Sequence, residues 1–325
     1  MKFTFTRGIY SFNLEVHGRY NFITGASGTG KTFLLRCLED AYNEDEAYTS
    51  DSTAFIPYGA YQLLRAKGEV PCGAIVYLDE SIARAEDKTS MIILHEQIRE
   101  DNCYLLYSIR DSVVYFEYGI NDVFVLVRDG NVFYTEKAFL IPKASSSAVM
   151  QIVCEDSKSG YRAMQHKYGS AVISANGKDN IARAVMSSSN ACAVYADLCG
   201  AGAALKSILD LPNAVPGTVV APSLSFEHDA LRKNAFADCR IPFGGDYPDP
   251  ASTQLSEEEF YAQCLDTACR QVYTYGYRKG SRGVIDVLCD ETSWLPSFNL
   301  AKLANASSEK TKTSGTEFKR MKLGG

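Results

Sequence analysis

Short apolar runs recur along this chain, and most end on polar or acidic residues before a stretch with helical spacing. Tyr20–Thr24 is followed by helical periodicity from Phe33 to Leu38. The run 74–78 closes on Asp79 and Glu80, and the run 102–109 closes on Arg110 and Asp111. Residues 123–134 alternate as a hairpin turning at Asp129-Gly130. After a polar linker at 142–147 the alternation resumes. Strands at 149–154, 170–174, 191–196 and 218–221 are each followed by a helical stretch, and four such units imply a compact parallel sheet. A turn-rich segment, 240–250, then precedes a capping box at Ser256 to Glu259. Phe260, Cys264, Leu265, Ala268 and Val272 give the helix behind it one apolar side, expected to pack on the second sheet.

The pattern predicts an α/β protein. A first sheet unit spans residues 1–143, a second and smaller α/β unit 148–240, a helical extension 241–304, and a disordered basic tail 305–325 with Lys310, Lys312, Lys319, Arg320 and Lys322.

Composition narrows the function classes. With 325 residues, 46% of them hydrophobic and 22% charged, the chain can build two real cores. A formal charge of −6 argues against a surface that coats nucleic acid, although a local groove fits. No apolar run is long enough to span a membrane and no signal peptide is evident, so the expectation is a cytoplasmic protein with no membrane partner. Ten cysteines without a C-x-x-C pair read as reduced, buried thiols, and the four scattered histidines do not suggest zinc.

The chemistry concentrates at Gly25, Ala26, Ser27, Gly28, Thr29, Gly30, Lys31 and Thr32, a G-x-x-x-x-G-K-T loop between a strand pattern and a helix pattern. Its glycines let backbone N–H groups turn toward a polyphosphate. Lys31 reaches the β/γ oxygens, and the Thr32 hydroxyl ligates Mg²⁺ at a helix N-terminus. Asp79 stands at a strand end, where it would hold the metal through Thr32 and water, and Glu80 is placed to polarise the attacking water. Lys31 and Glu80 are the expected catalytic groups, and ATP with Mg²⁺ the expected cofactors. Ser108 or Arg110 would sense the γ-phosphate, unless Arg110 and Asp111 simply pair.

These residues resemble a known family. The runs 2–6 and 10–16, the loop, Asp79-Glu80 and the hairpin are similar, in that order, to the core of ABC-type ATPases. The resemblance implies a P-loop NTPase sheet, with Tyr10 as an adenine contact. Three features depart from it: no L-S-G-G-Q-like signature lies between the motifs, only 48 residues separate Lys31 from Asp79, which leaves little room for a helical subdomain, and Ser108 stands where such proteins often carry a switch histidine. Residues 148–235 resemble a Toprim domain of the kind that follows the ATPase in overcoming-lysogenization-defect (OLD) nucleases. Glu155 matches its first acid, Gly177 to Ile181 its G-K-x-N-I-like turn, and Asp197 the first half of its Asp-x-Asp. Cys199 takes the place of the second aspartate. Glu155, Asp197 and Glu227 are the acids that a divalent metal would use.

The resemblance implies a Mg-dependent ATPase whose nucleotide cycle controls a Toprim-like domain acting on nucleic acid. The alternative is a nucleotide-dependent binding switch with an inactive docking domain. A small-molecule kinase is a third reading, without a substrate motif. Expected partners are nucleotide, then nucleic acid or a protein, with a homo-oligomer also in view. The aromatic and basic stretch 273–282 is either a nucleic-acid strip or a solvated loop with buried tyrosine rings.

Overall fold

Alternating and continuous apolar runs build two different kinds of strand here. β1 (Lys2–Arg7) and β2 (Tyr10–Glu15) alternate and pair antiparallel around Gly8, at φ 58°. By contrast β3 (Tyr20–Thr24), β5 (Ile75–Leu78) and β6 (Tyr104–Ser108) are apolar almost throughout and lie inside the sheet. With β4 (Phe55–Pro57) and the hairpin β7 (Val123–Asp129) and β8 (Val132–Lys137), they form one eight-stranded sheet in the order β1-β2-β8-β7-β3-β6-β5-β4. The strands from β7 through β3, β6 and β5 to β4 are parallel. The hairpin expected across Asp129-Gly130 is present, with Asp129 opposite Val132.

The structure is a computed structural model describing residues 2–26, 28–44, 53–85, 88–109, 118–236, 238–239 and 255–301. Ser27, Arg110, Asp111, the turn at 240–250 and the basic tail from 305 lie outside the described residues.

Helices α1 (Lys31–Asn43), α2 (Tyr58–Lys67), α3 (Glu80–Ala85) and α4 (Lys88–Glu100) connect the first sheet. After the short strand β9 (Ala148–Val149), a second sheet is fully parallel: β10 (Gln151–Cys154), β11 (Val172–Ser174), β12 (Cys192–Tyr195) and β13 (Val219–Val220), in the order β11-β10-β12-β13. Its helices are α5 (Ser159–Tyr168), α6 (Ile181–Ser187), α7 (Leu205–Ala214) and α8 (Phe226–Leu231). The expected strand at 170–174 begins only at Val172, because Gly169–Ala171 winds into a 3₁₀ turn. α7 continues through Pro212 to Ala214.

α9 (Glu257–Tyr273) and α10 (Arg282–Cys289) follow, and β14 (Asn299–Leu300) returns to pair with β9. The sequence expectation for α9 needs correction. It does not pack on the second sheet alone. Phe260, Tyr261 and Cys264 enter a cluster with Phe22, Leu105 and Tyr107 of the first sheet, and Leu265, Ala268 and Cys269 enter another with Ile152 and Ala193 of the second. Val272, read as part of its apolar side, is 40% exposed. The ten cysteines are all free thiols, and eight of them are buried.

Candidate functional site

The loop between β3 and α1 is shaped by its glycines. Gly25, Gly28 and Gly30 have φ of 147°, 89° and 98°, and Gly30 caps α1 in the left-handed region. The constraint at Gly30 is also steric: a Cβ there would lie 2.6 Å from Cε1 of Phe133. The buried Lys31 side chain folds back under the loop. Its ammonium donates to the Gly25 carbonyl, to the Ala26 carbonyl at 3.3 Å and to Thr29 Oγ1 at 3.4 Å.

Gly28, Thr29, Gly30, Lys31, Thr32, Phe33, Asp79, Glu80, Ser81 and Ser108 line one open cleft of about 460 Å³. The sheet order explains this convergence. β6 lies between β3 and β5, so Ser108 at the end of β6 comes between the loop and the Asp79-Glu80 pair. Asp79 Oδ1 accepts from the Ser81 N–H at 2.9 Å and the Ser81 hydroxyl at 2.7 Å, which fixes it across the first turn of α3, where Glu80 begins the helix. Beside the loop the Tyr10 ring meets Phe33 edge to face, centroids 4.9 Å apart, so the proposed adenine contact adjoins the cleft wall.

A second, smaller pocket opens at the carboxyl ends of the second sheet and is lined by Glu155, Asp156, Ser159, Tyr195, Asp197, Glu227 and Lys279 among others. The three acids singled out in the sequence therefore share one pocket. Glu155 Oε2 accepts from the Asp197 N–H at 2.8 Å, and Cys199 donates to Asp197 Oδ1 at 3.0 Å. Glu227 Oε1 accepts from the Tyr277 hydroxyl at 2.7 Å. Asp156 belongs to the helix rather than to the pocket's chemistry, accepting from the N–H groups of Gly160 and Tyr161 at the start of α5. The Gly177 to Ile181 turn is also present, and Lys178 from it donates to the Gly200 carbonyl at 2.9 Å.

Lys279, in the stretch read either as a nucleic-acid strip or as a solvated loop, is exposed yet reaches the rim of this pocket. Its ammonium lies 3.7 Å from Asp197 Oδ2 and 3.0 Å from Glu258 Oε1. Burial, with Glu258 and Glu227 adding, pushes the Asp197 carboxyl well above the usual range; burial also raises Glu155. Burial alone would lower Lys279, but Asp197 and Glu258 outweigh it and hold the ammonium above the ordinary lysine range. The pocket thus carries its own cation. Tyr277 is buried, donating to Ser159 and Glu227, while Tyr275, Arg278 and Lys279 stay exposed, so within 273–282 the expectation of a solvated loop with a buried tyrosine ring holds at Tyr277. No sequence spacing signals the bond to Glu227, because Tyr277 and Glu227 are joined only by the fold.

A contact connects the two regions. The backbone at 118–120 follows β6 in the chain and bonds the loop after β12: Ile120 N–H donates to Leu198 O at 2.8 Å, and Gly202 N–H to Tyr118 O at 2.7 Å. Gly119 has no room for a side chain, since a Cβ would lie 2.4 Å from the Cys199 carbonyl oxygen.

Compared with known proteins, the chain matches no family model and no curated sequence. Among the described residues, no helix is long and apolar enough to cross a membrane.

Proposed function

We propose that the chain binds ATP with Mg²⁺ at Gly25 to Thr32 and hydrolyses it, and that the nucleotide cycle acts on the second sheet. The observation that carries this reading is the shared cleft, in which Lys31, Thr32, Asp79, Glu80 and Ser108 face one another from three neighbouring strand ends. In it the loop N–H groups and Lys31 take the phosphates, Thr32 and Asp79 hold the metal, and Glu80 orients the water. The metal ion would neutralise charge developing on the phosphoryl oxygens. Ser108 would report the γ-phosphate, and the chain beyond β6 reaches the Asp197–Cys199 loop through residues 118–120.

For the second sheet, the Toprim resemblance implies metal-dependent action on a nucleic acid through Glu155, Asp197 and Glu227, which line one pocket without bringing three ligand atoms within 4.8 Å of one another. One observation favours the other reading, a docking module switched by nucleotide: Lys279 supplies a cation beside Asp197, and the thiol of Cys199 is a poor ligand for a hard metal.

The test is phosphate release with ATP and Mg²⁺, with plasmid or single-stranded nucleic acid added. Turnover should be lost in Lys31→Ala and Glu80→Gln, with nucleotide binding lost only in the former. Nicking that also requires Asp197 assigns a nuclease to the second sheet; nucleotide binding without nicking assigns a switch. Wild-type protein that binds no nucleotide overturns both readings.

A further inference from the structure

The turn before β3 and the first turn of α9 meet at a cluster used by neither pocket: His17, Asp122 and Glu257. One ligand-capable atom of each lies within 4.8 Å of the other two, and no other such group occurs among the described residues. Asp122 and Glu257 are 3% and 0% exposed. Each carboxylate has one bonded oxygen and one orphan. Asp122 Oδ2 accepts from the Gly119 N–H at 2.8 Å, while Oδ1 has no hydrogen-bond partner. Glu257 Oε1 accepts from Asn121 Nδ2 at 2.9 Å and the Tyr261 hydroxyl at 3.3 Å, while Oε2 has none. His17 Nε2 lies 3.4 Å from Glu257 Oε1 without hydrogen-bonding geometry.

Two buried carboxylates side by side carry a heavy desolvation cost unless a cation joins them. Lys137 bonds the Asn121 carbonyl and acts on the two carboxylates only through space, and Arg19 pairs with Glu259 at 3.0 Å. The backbone holding the three groups is fixed from several sides. Asn21 Oδ1 accepts from the His17 N–H and Asn21 Nδ2 donates to Gly18 O, both at 2.7 Å, and Arg19 N–H donates to Leu255 O at 3.0 Å.

One imidazole and two carboxylates form the donor set of a borderline divalent ion, with bonds of about 2.0–2.2 Å at zinc. We propose that His17, Asp122 and Glu257 bind one divalent transition-metal ion of zinc type, which clips the first turn of α9 to the start of β3. The ion matches the charge of the carboxylate pair, and its coordination draws the three groups closer than they stand in the structure.

The test uses the full chain, stripped with EDTA and then given Zn²⁺, Mn²⁺ or Mg²⁺. Wild type should retain one zinc per chain through gel filtration, with a melting temperature several degrees higher, and Mg²⁺ should do neither. His17→Gln and Glu257→Gln should lose both effects. Cobalt loaded in place of zinc should give a visible spectrum without a thiolate charge-transfer band. Wild type that retains no ion and melts at the same temperature overturns the proposal. A thiolate band, or undiminished binding in the variants, overturns it by moving the ion to the cysteines. None of these readouts depends on nucleotide.

Discussion

Gly30 is the most closely crowded glycine of the loop between β3 and α1. Its left-handed φ and the 2.6 Å approach of Phe133 exclude a methyl group. Phe133 cannot swing aside, because it stacks on Phe12 with centroids 5.0 Å apart. Gly30→Ala should cost about 2–4 kcal/mol in urea unfolding, the sum of backbone strain and overpacking, and should weaken nucleotide binding. A cost under about 1 kcal/mol would show that the loop is not held against Phe133. Single groups also set pH behaviour. Burial, with Arg19 adding, pushes the His95 imidazole down to about 3. Its pKa is depressed on folding, so below about 6.5 protons favour the unfolded chain, and stability falls as pH drops toward 3, by at most about 1.4 kcal/mol per pH unit. His95→Gln should flatten this acid limb in melting curves taken between pH 4.5 and 7; parallel curves would refute it. In the second pocket, Lys279→Met leaves Asp197 without its cation. The variant should lose more stability on the alkaline side of the raised Asp197 titration, where the carboxylate is charged, than on its acid side; melting curves across a pH series that show an equal loss throughout would deny the pairing.

Among the elements, α9 shows what a sequence reveals and what it hides. Its capping box was legible from Ser256 and Glu259 alone, and it forms: Ser256 Oγ accepts from the Glu259 N–H, and Glu259 Oε2 from the Ser256 N–H at 3.1 Å. That is a local device, written within four residues. The apolar spacing also gave the helix, but not its two partners, because periodicity reports a buried face and not what covers it. The first sheet's central strands, the hairpin and the glycine-rich turn from β3 into α1 were legible for the same local reason. The meeting of Tyr277 with Glu227 and of Lys279 with Asp197 was not, nor was that of His17 with Asp122 and Glu257, since chain separation carries no spacing signal. A contact between elements supplies a further test. Gly119→Ala forces a side chain into the backbone at Cys199 and should destabilise the whole chain by more than about 2 kcal/mol in denaturant, where backbone cannot give way as a flexible side chain would. A neutral substitution would mean that the loop after β12 moves freely relative to β6.

At the level of the whole molecule, one hydrophobic cluster runs from Phe22, Val76 and Leu105 of the first sheet through Ile120 and Phe260 to Val153, Val194 and Leu205 of the second half. Halves that share a core melt together. Calorimetry should give one transition with equal calorimetric and van't Hoff enthalpies; two resolved peaks would show that the halves fold separately. The same cluster bears on how such a chain is inherited. A half transplanted from a distant cousin would arrive with the wrong surface at Gly119, Leu198 and Phe260, and would meet bare backbone where a glycine was needed. The two halves can therefore diversify only in step, and a hybrid gene joined at the linker 142–147 should yield insoluble protein, although the join itself falls in exposed, polar chain.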